Sequence, residues 1–192
     1  MNYLLIDDTI PGTKLKKADI GGLTGKAFLS QVFIVSDGVM LSQIRKIAGI
    51  DGSTLQNWTK RGWVASTHSK RYNIDQVAHI FLINMLRSCM QLDKIDFLIH
   101  YINGEVGNES DDIIRDSELY DYICRILNHM MNSGTCDLSS FRDYISEITD
   151  DYVEPMEGAR ERLNKALEVI LVTYYAALIK QQATKLMEAI EA

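Results

Sequence analysis

Cysteine and proline are scarce in this chain of 192 residues. Its three cysteines, Cys89, Cys124 and Cys136, are an odd number and contain no Cys-x-x-Cys pair. This pattern fits a reduced intracellular protein better than a disulfide scaffold. Two prolines and 12 glycines are too few for long flexible linkers or low-complexity tracts.

Long apolar runs and targeting segments are also missing. The longest apolar run, Val169 to Ile179, falls short of the roughly 18 residues that a transmembrane helix needs. The N-terminal stretch MNYLLIDDTIPG lacks the basic run and apolar core of a signal peptide. We therefore expect a cytoplasmic protein with no membrane partner.

Residue arrangements typical of catalysis are absent as well. The four histidines are dispersed along the chain, at His68, His79, His100 and His129. No Ser-His-Asp or Cys-His arrangement can be drawn from the sequence, and we expect Cys89 to be a small core residue. The sequence therefore predicts a protein that is not an enzyme and that has no cofactor and no metal site.

Charge is unevenly divided along the chain, whose net charge is −6. Residues 1–35 carry a net charge of +1, residues 36–103 one of +3, and residues 104–192 one of −10. Such asymmetry suggests a division of labour, with a polyanionic partner held at the basic part. The excess of +3 is small, so it supports DNA binding without establishing it.

Two short helices joined by a glycine-containing turn are predicted after an N-terminal arm and a first helix. In the first of the pair, MLSQIRKIAGI, apolar residues recur at helical spacing and Gly49 ends the helix. In the second, STLQNWTKRGW, Ser53 is a natural N-cap, and Leu55 and Trp58 face inward. Gly62 closes this helix. The pattern is that of a helix-turn-helix.

A small β-hairpin is predicted next. Trp63 and Val64 form its first strand, STHSKR its polar tip, and Tyr72 the return to the core. Asn73 or Asp75 then begins a long apolar helix that continues to Met90. A further helix follows at 92–102.

The C-terminal part is predicted to be an acidic helical bundle behind a polar linker. Three helices are expected, at 117–132, at 138–149, and from Pro155 to about Ala189. The last is apolar on nearly every side between Leu167 and Leu178, so other helices must bury it. Those helices belong either to the same chain or to a second subunit, which would make a homodimer.

The order of elements from Leu41 to Ile99 resembles the DNA-binding domain of the MerR family. The matching segments are SQIRKIAGI, STLQNWTKRGWV, KRY followed by NIDQVAHI, and LRSCMQLDKIDFLI. A closer resemblance is to an uncharacterised bacterial family with a MerR-like core, domain of unknown function 1836. The resemblance implies a MerR-like winged helix-turn-helix with a small β-hairpin wing. With the C-terminal helical bundle that the residue pattern predicts, the fold class is mainly all-α.

The charge distribution, the polar linker and the resemblance together give a division of the chain, and the resemblance implies a DNA-binding surface. Its parts are an arm and helix at 1–35, the MerR-like domain at 36–103, a linker at 104–116, and a bundle for dimerisation or sensing at 117–192. The second helix would enter the major groove and the wing would hold the phosphate backbone. The implied DNA contacts are Ser53, Thr54, Gln56, Asn57, Lys60, Arg61, Lys70 and Arg71.

Two functions remain open. The first is a transcriptional regulator that binds double-stranded DNA, with an effector ligand that the sequence does not identify. The second is a protein-interaction module that keeps the fold without the DNA contacts, its acidic bundle docking a basic partner. Lys60-Arg61 replaces an acidic pair common in MerR, and the wing is short, so promoter twisting is not implied.

Overall fold

The structure, a computed structural model, is mainly helical, in agreement with the predicted fold class. It describes residues 8–33, 38–67, 71–104, 112–133 and 138–191. Within these segments the helices are α1 (Gly25–Phe33), α2 (Leu41–Ala48), α3 (Gly52–Lys60), α4 (Ile74–Leu86), α5 (Leu92–Asn103), α6 (Asp116–Ser133), α7 (Phe141–Ile148) and α8 (Ala159–Glu191). The strands are β1 (Val39–Met40) and β2 (Arg71–Tyr72), and 3-10 turns lie at Lys17–Ile20 and Leu138–Ser140.

The helix pair α2 and α3 is present as predicted, with one correction at its turn. Gly49 ends α2 at φ 65°, and its N–H donates to the carbonyl of Arg45. The predicted N-cap of α3 at Ser53 is wrong. Asp51 is the N-cap, because its carboxylate accepts the backbone N–H of Thr54 at 2.7 Å.

The two strands pair differently from the prediction. β1 and β2 are antiparallel, with Val39 opposite Tyr72, so β2 pairs with the segment before α2. The predicted strand at Trp63 and Val64, and with it the hairpin, is wrong. The N–H of Trp63 instead donates to the carbonyl of Trp58 and closes the end of α3, so it is not available for a strand ladder.

Helix α4 lies at the centre of the fold, in contact with α1, α2, α5, α6 and α8. Asn73 is its N-cap, and the Asn73 and Gln76 side chains each accept the other's backbone N–H. The helix ends at Leu86 rather than at Met90. Cys89 therefore falls in the following turn and is exposed, which corrects its predicted burial.

One hydrophobic core joins the N-terminal and C-terminal parts of the described chain. Its buried apolar side chains form a single cluster, whose members come from positions between Ile10 and Tyr174. Helix α6 packs against both α1 and α4. Ile113 and Ile114, which lie in the predicted linker, are buried in it. The hydroxyl of Tyr120 donates to the carbonyl of Pro11 at 2.7 Å, so α6 also holds the N-terminal segment.

Helix α8 begins at Ala159, not at the predicted Pro155. Gly158 adopts φ 81°, a backbone conformation that interrupts a helix, and residues 151–158 are not helical. One face of α8, which includes Leu167 and Ile170, enters the core of the same chain. In the described part of the protein, no helix combines the length and apolar character needed to cross a membrane.

Candidate nucleic-acid interface

Helix α3 has one buried face and one polar face. Leu55 and Trp58 are almost completely buried, at 0% and 1% exposure, as predicted. The opposite face is exposed and carries Ser53, Gln56, Asn57 and Lys60. Gln56 and Asn57 are each three or four positions from both Ser53 and Lys60, so the four side chains line one side of the helix.

The first turn of α3 is organised by Asp51. Its carboxylate accepts the Ser53 hydroxyl at 2.5 Å and the Thr54 hydroxyl at 2.9 Å, in addition to the Thr54 N–H. The Ser53 hydroxyl and these Thr54 donors lower the pKa of Asp51 to about 2. Both hydroxyl hydrogens are thus engaged, so Ser53 and Thr54 present acceptor oxygens to an incoming ligand.

The middle of the polar face is free to bind. Across the described part of the chain, the side chains of Gln56, Asn57 and Lys60 make no hydrogen bond or ion pair. Each amide offers a donor and an acceptor side by side, which is the pattern that reads adenine in a major groove. Lys60 adds a cation at the end of the same face.

Arginines at both ends of this region are oriented by aromatic rings and carbonyls. The Arg61 guanidinium lies 5.0 Å from the Trp63 ring, and that of Arg87 lies 5.7 Å from the Trp58 ring. Arg71 donates from Nη1 to the Gly38 carbonyl at 3.0 Å. The remaining donors of Arg61 and Arg71 lie at the surface, because both residues are exposed.

The structure adds two cations that the sequence prediction missed. Arg45 and Lys46 are exposed on α2, and the Arg45 side chain lies against Gly52 in the first turn of α3. The signal was available in the sequence: Ile44 and Ala48 face inward, which turns the two intervening cations outward.

Positive charge dominates this part of the protein. The described residues between 38 and 87 contain only two carboxylates, and Asp75 faces α6, where it accepts the Ser117 N–H. None of the lysines and arginines there forms an ion pair within the described segments. These cations are Arg45, Lys46, Lys60, Arg61, Arg71 and Arg87. In the acidic part, by contrast, Arg125, Arg142 and Lys165 each pair with a carboxylate.

Seven of the eight predicted site residues lie in the described part of the chain. Five of them lie on α3 and Arg61 follows directly. Arg71 lies in β2, which pairs with β1 at the start of α2. Lys70 and His68, which the prediction assigns to the wing tip, lie outside the described residues.

A buried histidine contacts the backbone of the segment that follows α3. His79 in α4 contacts the Asp116 carboxylate through Nδ1 and the Trp63 carbonyl through Nε2, each at 2.8 Å. Burial lowers its pKa, but the Asp116 charge, its hydrogen bond and the Trp63 carbonyl outweigh burial and raise the pKa above its ordinary value. The sequence offered one signal for this contact: a polar residue in a helix buried on most sides needs partners.

Within the described segments, no group of three or more His, Cys, Asp or Glu side chains is arranged to hold a metal ion. Cys124 is buried, and burial raises the pKa of its thiol to about 12. Cys136 lies outside the described residues.

A comparison with protein families identifies the chain. Residues 24–123 match the family described as Domain of unknown function (DUF1836), which covers just over half of the sequence. The chain belongs to this family. No curated protein and no solved structure gives a significant match. The DUF1836 region extends from α1 to Ile123 in α6, so it contains α3 and its cations together with both partners of the His79 contact.

Proposed function

We propose that this DUF1836 protein is a DNA-binding transcriptional regulator with a MerR-like winged helix-turn-helix. In this proposal α2 and α3 form the helix-turn-helix, and α3 lies in the major groove. The observation that carries the proposal is the exposed polar face of α3, bordered by cations without ion-pair partners in the described part of the chain. The mechanism is binding, without catalysis.

The dimensions of α3 suit a major groove. An α-helix with its side chains is about 10–12 Å across, and a B-DNA major groove is about 12 Å wide. Leu55 and Trp58 fix the helix to the core, so its polar face is presented on a rigid support. The Asp51 carboxylate repels phosphate. This favours an orientation in which the first turn of α3 points away from the phosphate backbone of the DNA.

Roles follow from side-chain chemistry. Gln56 and Asn57 would read base edges, since an amide makes a bidentate contact with adenine. Lys60 and Arg61 would contact phosphate beside the groove. Arg71 in β2 and Lys70 before it would do the same from the wing, in which β2 pairs with β1 instead of with the predicted strand at Trp63 and Val64. The exposed Arg45 and Lys46 extend the same cationic surface along α2. The acidic C-terminal part would stay clear of the DNA because phosphate repels it.

The test is fluorescence anisotropy on duplex DNA of mixed sequence at several salt concentrations. We expect wild type to bind with an affinity that falls steeply as salt rises. The Lys70→Ala/Arg71→Ala variant should lower the slope of log K against log salt by about 0.9 for each phosphate that the variant no longer binds. Arg142→Ala is the matched control, because Arg142 is an exposed cation on α7, paired with Glu168.

If Lys70→Ala/Arg71→Ala had the same slope of log K against log salt as wild type, the wing would not contact DNA phosphate. Absence of binding by wild type at low salt would contradict the regulator function. The polar face of α3 would then be a solvated helix surface, and the protein-interaction module would be the better hypothesis.

A further inference from the structure

The outer face of α8 carries an apolar seam that the described chain does not cover. The seam consists of Val169, Val172, Ala176, Ile179, Ala183, Leu186 and Ile190. Val169, Val172, Ile179 and Leu186 are between 42% and 52% exposed and Ile190 is 79% exposed. Both alanines are exposed as well. The core-facing residues Leu167, Ile170, Leu171 and Tyr174 lie on the other side of the helix.

The spacing of the seam specifies the kind of partner. Its residues are separated alternately by three and four positions over three heptads, which is the a/d pattern of a coiled coil. A general apolar patch needs no such repeat. The partner of this seam is therefore another helix with the same period.

The end of α8 adds a second argument. Every residue from Ala183 to Glu191 is exposed, so the last turns of this 33-residue helix extend beyond the body of the protein. A short helical stretch in water gains little stability from its own hydrogen bonds, and most helices are stabilised by packing of an apolar face. A partner along the seam would supply that packing.

We infer that the partner is a second copy of this chain, and that two α8 helices pair through the seam about a two-fold axis. A second copy offers an identical seam, as an isologous interface requires. Among the positions that flank the seam only Glu168 and Lys180 are charged, so electrostatic repulsion along the interface is small.

The size of the seam is sufficient for a dimer. Residues 169–190 span about 33 Å of helix. Two such faces packed together, with their flanking residues, hide on the order of 1,000 Å², which is near the lower limit for a specific protein interface. The dimer does not depend on DNA binding, and its test contains no DNA.

Side-chain volumes favour an antiparallel pair. An antiparallel arrangement places a positions opposite d positions, so the small Ala176 and Ala183 face the larger d residues Val172, Ile179 or Leu186 of the other copy. A parallel arrangement would stack alanine on alanine and leave voids between the larger layers. Alternation of large and small side chains across an interface fills it without voids.

Analytical ultracentrifugation at micromolar concentration tests the inference. Wild type should sediment at twice the chain mass of 21.8 kDa. Ile179→Glu/Leu186→Glu should raise the dissociation constant at least tenfold and give the mass of one chain. Both positions are about half exposed, so the variant should keep its fold, which circular dichroism checks. Gln181→Glu/Thr184→Glu adds the same charge off the seam and should remain dimeric.

Orientation is tested with a spin label on Glu191→Cys in a chain carrying Cys89→Ser and Cys136→Ser. An antiparallel pair should give a label separation of roughly 30–40 Å, and a parallel pair one below about 20 Å. The shorter distance would overturn the antiparallel arrangement. A monomeric wild type, or a seam variant that dimerises like the control, would overturn the second copy as partner and leave the seam to a helix of another protein.

Discussion

His79 is a buried residue whose contacts join three parts of the fold. Its two ring nitrogens connect α4 to the start of α6 and to the loop that follows α3. The Trp63 carbonyl can only accept, so Nε2 must carry a hydrogen. When the ring is charged, Nδ1 also donates to the Asp116 carboxylate. Loss of that proton would leave a ring nitrogen facing a carboxylate inside the protein.

This contact predicts how stability depends on pH. The pKa of His79 is raised in the folded state above its ordinary value of 6.5. The charged pair therefore stabilises the fold fully below about pH 6.5, and its contribution is lost as pH rises through the raised pKa. Asp116→Ala should cost about 1.5–3 kcal/mol in the acidic range and less at alkaline pH. Urea unfolding at a series of pH values measures this difference.

Asp116→Asn provides the sharper comparison. An asparagine amide can donate to neutral Nδ1, so we expect the variant to keep a hydrogen bond while losing the pH dependence above about pH 6.5. Glu147→Gln is the control, because its contact with His129 is at the surface, where an ion pair contributes about 0–1 kcal/mol. If Asp116→Asn followed the same pH curve as wild type, the pair would not be the titrating contact.

At the scale of the elements, the stability of helix α3 depends on the hydrogen bonds of its first turn. Asp51 holds the Thr54 N–H and two hydroxyls, and it sits at the positive end of the helix dipole. Asp51→Ala should lower the thermal unfolding midpoint, because the first turn of α3 would fray. Asp51→Asn should recover most of the midpoint, since its amide oxygen can accept the same N–H.

Acid titration separates the charge of Asp51 from its hydrogen bonds. Its folded-state pKa of about 2 lies below the ordinary value of 3.8. Stability from the carboxylate is therefore present above about pH 4 and is lost as pH falls towards 2. The midpoint difference between wild type and Asp51→Asn should narrow across that window. A constant difference would show that the charge of Asp51 does not matter to α3.

The elements that the sequence predicts well are those set by local patterns. The apolar spacing of α2 and the glycine after it locate that helix, and Asn73 locates the start of α4. Elements set by distant partners are predicted poorly. The strand β1 has two residues and is paired only because β2 returns from 33 positions later. Trp63 and Val64 have strand-like residue types, but the end of α3 uses the Trp63 backbone.

In the candidate site, too, features set by local patterns could be predicted and those set by distant partners could not. The exposed face of α3 could be predicted because Leu55 and Trp58 define its opposite face. Which residue caps α3 could not be predicted, because Ser53 and Asp51 are both good N-caps and only the turn geometry selects Asp51. His79 and Asp116 are 37 residues apart, and no local pattern links them. The exposed seam on α8 could not be predicted, because both faces of that helix are apolar in the sequence.

At the scale of the whole molecule, charge and packing divide the protein in different ways. The basic surface around α3 and the acidic C-terminal part differ in charge, yet one core joins them in the described chain. The match to DUF1836 also crosses from α5 into α6. The contact between His79 and Asp116 therefore connects α4 directly to α6.

The central claim is that α3 reads DNA sequence, and selection from a random duplex library tests it most directly. We predict that wild type enriches a defined sequence and that Gln56→Ala/Asn57→Ala loses roughly 10- to 100-fold of its preference for that sequence over random DNA, about 1–3 kcal/mol for a bidentate contact. Binding to random DNA should change little, because the cations remain. Enrichment of no sequence by wild type, or an unchanged preference in the variant, would contradict the claim.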